Sequence, residues 1–317
     1  MKVIEHINKA TKTLVSFEIL PPLKGKTIQS IYDHLDPLME FGPSFINVTY
    51  HRSETTFKKR TDNTFEKVVV RKRPGTVGIC AAIKNHYNID TVPHFICGGF
   101  SKNETEDSLI DLAFLGIDNV LVLRGDAARN ETVFEPEPNG HRYAIDLLRQ
   151  VTNLNHGIYL EDDIKSGGKT NFCIGVAGYP EKHFEAPNMD SDLKHLKAKV
   201  DAGAEYITTQ MFFNNQKYFD FVTACRNAGI TVPIIPGLKP ISTKKQLTII
   251  PKTFYVDLPT DLTNEILKCK NDEEVEQVGF EWLVNQSKEL KAAGVPVLHY
   301  YTLGKAKLIS KAMKEIL

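Results

Sequence analysis

The sequence repeats one pattern along most of its length: a helical stretch, a glycine, and then a run of β-branched and apolar residues. The repeats are LMEFG–PSFINVTY, LAFLG–IDNVLVLRGD, KVDAG–AEYITTQ, ACRNAG–ITVPIIPG and LKAAG–VPVLHYYTL, with Gly42, Gly116, Gly203, Gly229 and Gly294 at the break. Glycine after a helix is typical of a left-handed C′ residue. The nearly all-apolar runs that follow are typical of parallel strands covered on both faces. The pattern predicts helices that alternate with parallel strands.

Three further apolar runs have strand character, at residues 14–19, 92–96 and 172–177. Together with the five runs that follow a glycine they make eight strands, which predicts a closed (β/α)8 TIM barrel of the α/β class. A doubly wound open sheet is the main alternative. It is disfavoured because no GxGxxG motif follows the first strand.

The 317 residues contain no linker rich in Ser, Thr or Pro, so we expect a single domain over residues 1–317. Segments 129–140 and 157–169 are polar and are expected to be excursions from the barrel. Segment 251–272 is longer than a simple loop and is expected to supply an extra helix. A capping box at residues 101–104 predicts a helix start.

Composition excludes several classes of function. The 39 basic residues balance 39 acidic ones, so no overall charge attracts nucleic acid or a membrane. The basic runs at 58–60 and 71–73 are expected to lie on solvated helix faces. The five cysteines form no CxxC pair and no histidine cluster has metal spacing, which predicts reduced thiols and no metal site. Without a signal peptide or a membrane-length apolar run, a cytoplasmic protein is expected.

Catalytic groups of such a barrel lie at the C-terminal ends of its strands. Glu18 stands there inside the apolar run SFEILPP, and desolvation of a carboxyl group favours the neutral form that a general acid needs. The alternative, a structural pair with a buried Arg or Lys, has about equal weight on this feature alone. His94, Arg124 and Asp126 stand at other strand ends. Each has a structural explanation, a core histidine or a plain salt bridge, but their common rim favours a functional one.

A helix predicted to begin near Asp190 carries Asp192, His195 and Lys199 at i, i+3 and i+7, hence on one face. An acid, an imidazole and a base in one stripe suit the ribose hydroxyls and pyrophosphate of a dinucleotide. An ordinary solvated face is the alternative.

Taken together, these segments resemble the methylenetetrahydrofolate reductase family, whose members are FAD-containing barrel enzymes of one-carbon metabolism. SFEILPP is similar to the family's SFEFFPP, NVTY to VTY, PHFIC to PHLTC, and LRGD is identical. VAGYPEKHFEA is similar to VAGYPxxHPEA, KVDAGAEYITTQMFF to KVxAGAxxxITQxFF, IIPGLKPI to IPGIxPI, and HYYTL to HFYTL. The eight motifs occur in the family's order and run nearly from end to end of the chain.

The resemblance implies an NAD(P)H-dependent flavin oxidoreductase that supplies methyl groups for methionine biosynthesis. Glu18 matches the general acid that protonates N10 of 5,10-methylenetetrahydrofolate, so that the ring opens to a 5-iminium cation. Flavin N5 then delivers hydride to give 5-methyltetrahydrofolate. Asp126 matches an aspartate close to flavin and pterin, and Gln210 a glutamine that contacts folate and nicotinamide in turn, consistent with a ping-pong mechanism.

Further positions follow from the same resemblance. The implied cofactor is FAD, with NADH or NADPH as co-substrate; the implied partners are small molecules, with no nucleic acid and no membrane, and the protein is expected to be a homo-oligomer. The S-adenosylmethionine-responsive domain of eukaryotic relatives is expected to be absent. Besides Glu18, Asp126 and Gln210, the substrate positions are Gln246, Tyr301 and Lys305. The FAD positions, Asp126 included, are Thr49, Tyr50, His94, Leu123, Arg124, Gly125, Tyr143, Ala144, Tyr179, His183, Ala186, Asp192, His195 and Lys199.

The chain departs from the family pattern at several positions. Ile250 replaces a phenylalanine that stacks on NADH in bacterial relatives, and Lys305 replaces a substrate-contacting arginine, which loses the bidentate fork. His195 replaces an asparagine, Ala198 replaces an arginine that could contact phosphate, and HFEA lacks a proline.

Three alternatives to this function are considered. A reduced ferredoxin or partner flavoprotein could replace NAD(P)H, for which Ile250 is the motive. A non-catalytic flavin- or folate-binding module is disfavoured by the intact Glu18, Asp126 and Gln210. An aldolase would need a Schiff-base lysine at a strand end, and none is expected there.

Overall fold

The structure, a computed structural model, describes residues 1–127, 131, 133–164 and 168–317. Its strands are β1 Leu14–Ile19, β2 Phe45–Val48, β3 Glu54–Lys59, β4 Phe65–Val70, β5 Asp90–Ile96, β6 Asn119–Leu123, β7 Cys173–Gly178, β8 Tyr206–Thr209, β9 Ile234–Ile235, β10 Gly237–Leu238 and β11 Val297–Tyr301. Its helices are α1 Val3–Lys9, α2 Gln29–Met39, α3 Thr76–Tyr87, α4 Lys102–Phe114, α5 Ala144–Asn155, α6 Met189–Asp201, α7 Asn215–Asn227, α8 Gln246–Phe254, α9 Thr260–Lys268, α10 Asp272–Ala292 and α11 Ala306–Ile316.

Nine strands form one parallel sheet in the order β10-β11-β1-β2-β5-β6-β7-β8-β9. The two end strands, β9 and β10, are halves of one passage interrupted at Pro236, which has no N–H to donate to a neighbouring strand. β9 pairs with β8 and β10 pairs with β11, so this broken strand closes the sheet into a barrel. The nine strands therefore occupy eight positions, and the predicted (β/α)8 fold is confirmed.

The helix-glycine-strand pattern has the predicted backbone geometry. Gly42, Gly116, Gly203, Gly229 and Gly294 all have positive φ, between 57° and 117°. The predicted capping box is also present, since Ser101 Oγ accepts from the Glu104 N–H and the Glu104 carboxylate accepts from the Ser101 N–H.

The N-terminal segment closes the end of the barrel at which the strands begin. The α-amino group of Met1 forms an ion pair with Asp90, the first residue of β5. The N–H of Val3 donates to Asn119, the first residue of β6. Val3 is fully buried and belongs to an apolar cluster with inward-facing residues such as Phe45 and Tyr206. In the described part of the chain, this segment therefore covers the end of the barrel where the strands begin and leaves the opposite end open.

Sequence patterns did not predict the hairpin that follows β2. Strands β3 and β4 form a separate antiparallel pair, so Lys58 and Lys59 lie on a strand, and residues 71–73 follow β4 without helical structure. The expectation of helix faces at these basic runs was wrong, because the segments contain β-branched and aromatic residues such as Thr55, Phe57 and the run Val68–Val70, which favour strands.

The other expected excursions are present in part. The extra helix expected in segment 251–272 is α9, and α8 runs through Pro251. Within 129–140 and 157–169, residues 129, 130, 132 and 165–167 lie outside the described residues, and the remainder forms turns and irregular structure. In the part of the chain that is described, no helix is both long and apolar enough to cross a membrane.

Candidate active site

A cavity of about 1080 Å³ opens at the C-terminal ends of the strands. Its walls come from strand ends around the barrel and from the β3–β4 hairpin. The predicted site residues that line it are Glu18, Thr49, Tyr50, His94, Leu123, Arg124, Gly125, Asp126, Tyr179, His183, Gln210 and Tyr301. The structure thus brings together the predicted catalytic pair and many of the predicted flavin positions.

Glu18 lies near the end of β1, only 6% exposed, between two buried imidazoles. Its Oε2 is 3.4 Å from Nε2 of His94 on β5 and 3.6 Å from Nε2 of His299 on β11. Among the described residues no Arg or Lys pairs with it, so the structural alternative considered for this carboxyl is not found. Burial lowers the pKa of His94, although the negative charge of Glu18 acts in the opposite direction. A neutral imidazole therefore faces the carboxyl group on this side.

His299 was not predicted as a site residue. It is 1% exposed, and its Nδ1 lies 2.8 Å from Ser16 Oγ. The available signal was the alternation in the last strand, VLHYY, where His299 and Tyr301 share one face and both fall near the strand end. That face is the inner one, because Tyr301 lines the cavity.

Tyr301 and Gln210 stand beside each other on the far wall. The Tyr301 hydroxyl donates to the Thr209 carbonyl at 2.5 Å, and a Cβ on Gly237 would collide with both of these atoms. Glycine at 237 is therefore required for the tyrosine to cross the barrel mouth. Gln210 Oε1 accepts the Met211 N–H, which fixes the amide at the end of β8.

Arg124 and Asp126 follow β6, but they do not form the salt bridge considered as their structural explanation. Arg124 instead makes a two-pronged contact with Glu185, at 2.5 and 2.8 Å. Its guanidinium also lies 5.3 Å from the centre of the Phe134 ring. Asp126 is exposed on the cavity wall, so its carboxylate is accessible to a ligand.

The predicted stripe on α6 lies behind the cavity wall and does not line the cavity itself. Lys199 Nζ donates to the carbonyl of Ala177, a cavity-lining residue, at 3.0 Å. Asp192 accepts the backbone N–H of His183, which does line the cavity, at 2.8 Å. Burial lowers the pKa of Lys199 to about 8, and Asp192 opposes that shift. His195 is exposed and makes neither contact.

Other predicted positions do not line the cavity. Tyr143 is the exposed N-cap residue of α5 and Ala144 begins that helix, while the Ala186 carbonyl accepts from Lys182 Nζ. Gln246 Oε1 caps the backbone N–H groups of Ser242 and Thr243. Lys305 pairs with Glu276 at 2.9 Å.

Helix α8 directs Phe254 toward the cavity, whereas the family pattern suggested position 250. Ile250 is 1% exposed and packs in an apolar cluster with Met211 and Phe213. Phe254, one turn later, lines the cavity beside Gln210 and Met211. A ring at position 254 is therefore available to a ligand, whereas a side chain at 250 faces the core.

A lysine does stand at a strand end, contrary to the expectation for an aldolase. Lys239 directly follows β10, is 9% exposed and donates to the Pro240 carbonyl. Burial lowers its pKa to about 8, with the charge of Lys305 acting in the same direction. It does not line the cavity, so it offers no amine to a carbonyl substrate there.

The cavity has the properties that a flavin dinucleotide requires. Its volume is at the upper end of the range for ligand sites. The buried Thr49 Oγ1 lines it without a hydrogen-bond partner among the described residues, so a ligand could satisfy this atom. The cations of Arg124 and Lys199 lie on or just behind one wall, where an anionic pyrophosphate would be stabilised.

Comparisons with known proteins agree with this geometry. A model of the methylenetetrahydrofolate reductase family matches residues 2–317. Methylenetetrahydrofolate reductase 1 of Schizosaccharomyces pombe is 32% identical over 314 residues, covering 98% of this chain but 46% of that protein. The chain therefore spans about half the length of that relative. The 5,10-methylenetetrahydrofolate reductase of Salmonella typhimurium is 30% identical over 295 residues, covering 93% of this chain and 87% of its own length.

A solved structure supports the fold. It is described as an uncharacterized protein from Clostridium thermocellum that binds two copies of 5-methyl-5,6,7,8-tetrahydrofolic acid. The two chains superpose with a TM-score of 0.60 at 15% identity, over 99% of each chain. At this identity the likeness is evidence for the barrel alone.

Proposed function

Because the chain belongs to the methylenetetrahydrofolate reductase family, we propose that it reduces 5,10-methylenetetrahydrofolate to 5-methyltetrahydrofolate, with NADH or NADPH as electron source and FAD as cofactor. The observation that carries the proposal is the meeting of Glu18, Asp126 and Gln210 in one cavity at the strand ends. We further propose that residues 1–317 act as one catalytic domain within a homo-oligomer.

The residues that would hold the cofactor divide into two groups. Thr49, His94 and Tyr179 line the cavity and offer polar atoms to the flavin ring. Arg124 and Lys199 offer positive charge to the pyrophosphate. Asp192 accepts the backbone N–H of His183 and so holds in place the loop that would lie beside the ribose hydroxyls. Bound FAD supplies the hydride chemistry that no amino-acid side chain can perform.

Glu18 provides the proton that opens the substrate ring. In the proposed step its carboxyl proton goes to N10 of the folate, the bond from the bridging methylene carbon to N10 breaks, and N10 keeps the electron pair. N10 is a poor leaving group until it is protonated, so general acid catalysis fits this step. The position of Glu18 supports the role, because its carboxyl group is buried at the cavity and no Arg or Lys of the described residues pairs with it.

Asp126 and Gln210 assist in different ways. The Asp126 carboxylate lines the cavity and would stabilise the positive charge of the iminium form of the substrate through electrostatic attraction. Gln210, whose carbonyl is tied to Met211, is oriented to present its amide NH2 to a ligand. Since one cavity contains all three side chains, the folate and the nicotinamide would occupy it in turn, as a ping-pong mechanism requires.

Anaerobic spectroscopy of the purified protein tests the proposal. A flavin spectrum is expected, NADH or NADPH should bleach it, and 5,10-methylenetetrahydrofolate should restore it in a second step. A different outcome is that the flavin of the purified protein reacts with neither nucleotide and is bleached by a reduced ferredoxin or flavoprotein. That outcome would replace NAD(P)H as the electron donor in the proposal. A colourless protein that binds no added FAD, or a reduced flavin that the folate does not reoxidise, would refute the proposed reaction.

A further inference from the structure

The imidazole of His299, which lies directly behind the cavity-lining Glu18, has an open hydrogen-bonding position. Within the described chain its buried Nε2 has no hydrogen-bond partner, and the carboxylate atom that faces it is Glu18 Oε2 at 3.6 Å. Its other nitrogen, Nδ1, lies 2.8 Å from Ser16 Oγ. The parallel ladder of β1 and β11 fixes this arrangement by placing Ser16 opposite His299 and Glu18 opposite Tyr301. Buried polar atoms are normally bonded, so an unpartnered nitrogen aimed at a carboxyl group requires an explanation.

The hydrogen bond between Ser16 and His299 indicates which nitrogen of the imidazole carries the proton. Ser16 is fully buried, and among the residues described its hydroxyl contacts only His299 Nδ1. If Nδ1 donated to the hydroxyl, the serine proton would have no acceptor. If the hydroxyl donates to Nδ1, both groups are satisfied. With Nδ1 as the acceptor, the ring carries its proton on Nε2, the atom that faces Glu18.

We propose that His299 is a positioning residue, which donates from Nε2 to the Glu18 carboxylate that remains after proton transfer, while Ser16 holds the ring in the required tautomer. This inference rests on the proposed function, in which Glu18 is the general acid. A small side-chain movement closes the 3.6 Å gap once Glu18 is charged, and a hydrogen bond to the charged form stabilises it. The proton that reaches N10 of the folate comes from Glu18, and His299 keeps its own.

The other groups around Glu18 do not have the same capacity. His94 Nε2 is 3.4 Å from the carboxylate but also 3.3 Å from the Asn47 side-chain amide nitrogen, a donor that uses the lone pair of that imidazole. The charge of Glu18 also acts through space on His51, which follows β2, and on Tyr301 of β11, where it favours a higher pKa of each group. Within the described part of the chain, neither of these two side chains forms a hydrogen bond or an ion pair with the Glu18 carboxylate, so His299 is the donor that the geometry assigns.

Substitution of His299 in the FAD-loaded enzyme tests the inference. His299→Phe keeps the ring volume but cannot donate. Reoxidation of reduced flavin by 5,10-methylenetetrahydrofolate should slow about ten- to hundredfold, the range that one hydrogen bond to a charged group supports. Bleaching by the nicotinamide should stay within about threefold. The alkaline limb of the reoxidation rate should move to higher pH, because Glu18 becomes a weaker acid without the donor. His299→Gln, whose amide can donate, should recover part of the rate.

A matched control removes a nearby polar group just after the end of β11. Thr302 Oγ1 donates to the main-chain carbonyl of Glu18, not to its carboxylate. Thr302→Val should therefore lower stability without moving the alkaline limb. If His299→Phe does not fold, Ser16→Ala serves in its place. It should slow reoxidation by the folate and spare bleaching by the nicotinamide in the same way, but by a smaller factor.

A measurement that does not depend on turnover addresses the tautomer directly. Nitrogen-15 NMR of the histidine side chains should show His299 protonated on Nε2 in the wild type and a mixture of tautomers in Ser16→Ala. A wild-type ring protonated on Nδ1, equal losses in both half-reactions, or an unmoved alkaline limb in His299→Phe would overturn the inference alone. A wild-type enzyme that fails one of the half-reactions would overturn the proposed function, and the role of His299 with it.

Discussion

The floor and the rim of the cavity are built in different ways. The floor consists of Glu18 and His94, which line the cavity, together with His299 directly behind Glu18. These residues come from β1, β5 and β11, and none is more than 6% exposed. On the rim, Arg124 pairs with Glu185, both from loops that follow strands, and this pair is partly exposed. Strand ladders fix the floor before any ligand arrives, whereas a rim charge pair can be exchanged for a ligand's charge.

The difference separates chemistry from affinity. A group that is held by two neighbouring strands and shielded from water has a preorganised electrostatic effect on a reacting atom. A partly exposed cation contributes binding energy that solvent and salt reduce. Substitutions on the floor should therefore change the rate of one step, and substitutions at the rim should change how tightly the cofactor or the co-substrate is held.

Glu18→Gln should have the largest effect and tests the floor. Glutamine keeps the shape and hydrogen-bonding capacity but has no proton to give to N10. Reoxidation of the reduced flavin by 5,10-methylenetetrahydrofolate should fall by ~10²–10⁴-fold, the usual contribution of a general acid. Bleaching by NADH should stay within about tenfold of the wild type, because that step takes no proton from Glu18. Stopped-flow absorbance at the flavin maximum follows the two steps separately.

Two outcomes would contradict this assignment. An equal loss in both half-reactions would mean that Glu18 supports flavin binding or folding instead. Rapid reoxidation by the folate would remove Glu18 as the acid. Asp126→Asn, which removes a charge from the same cavity but no proton donor, provides the comparison, and its loss should be smaller in the folate step.

The sequence predicted the strand-borne part of the molecule well. The repeated helix–glycine–strand pattern was sufficient to predict the barrel, because a parallel strand covered on both faces appears in the sequence as a continuous apolar run. Glu18 and His94 were found because a polar residue within such a run is conspicuous. His299 was overlooked because it shares the short run VLHYY with two tyrosines, and nothing local shows which face is internal.

Features that depend on tertiary contacts could not be predicted in the same way. The β3–β4 hairpin lines the cavity with Phe57 and Lys67, but its lysines and glutamates dilute the strand signal. The partner of Arg124 is Glu185, 61 residues away, and no pattern in the sequence connects them. Phe254, and not Ile250, faces the cavity because of the rotation of α8 about its axis. Packing of the helix against Met211 and Phe213 determines that rotation.

Lys199→Glu should have the next largest effect and tests cofactor affinity at a cation behind the cavity wall. A negative charge would replace the ammonium group behind the cavity wall, next to the expected pyrophosphate. Two unit charges ~4 Å apart interact by about 4 kcal/mol at an effective dielectric of 20, an upper value that solvent reduces, so FAD affinity should fall by up to several hundredfold. Equilibrium titration of the apoprotein with FAD at low salt measures the loss. Lys194→Glu, an exposed site on the same helix, makes the same charge change and should alter affinity little.

The pH dependence of FAD binding tests the same lysine. Because burial lowers the pKa of Lys199 to about 8, its ammonium form is present below that pH and is lost as the pH rises through it. Wild-type affinity for the dianionic pyrophosphate should therefore decrease between pH 7 and pH 9, since the attraction is lost with the proton. Lys199→Met should bind FAD more weakly at pH 7 and show a flatter profile. Equal profiles for the two proteins would place the pyrophosphate elsewhere.

Phe254→Ala should have a moderate effect, confined to the nicotinamide. Offset stacking on an aromatic ring is worth roughly 0.5–1.5 kcal/mol, so loss of the ring should raise the KM for NADH by several-fold. Ile249→Ala, an exposed neighbour on α8, is the control and should leave this KM unchanged. Ile250→Phe should instead lower stability by about 1–3 kcal/mol through overpacking, measured as a lower Tm, without improving the KM. A lower KM in Ile250→Phe would mean that α8 rotates when the nucleotide binds.

Lys305→Met should have the smallest effect, because the structure gives this side chain a partner outside the cavity. Lys305 Nζ lies 2.9 Å from Glu276, and both side chains are more than two-fifths exposed, with relative exposures of 43% and 41%. An exposed ion pair contributes about 0–1 kcal/mol, so thermal stability should change little and less still at high salt. The KM for the folate should remain within about twofold. If Lys305 held a substrate carboxylate, its loss would raise this KM by about tenfold or more, because a hydrogen bond to a charged group would be lost. Glu276→Gln separates the two cases. If Glu276 merely neutralises Lys305, releasing the lysine should leave the KM unchanged or lower it, and a rise in KM for both variants would show that the pair must stay intact for the folate to bind.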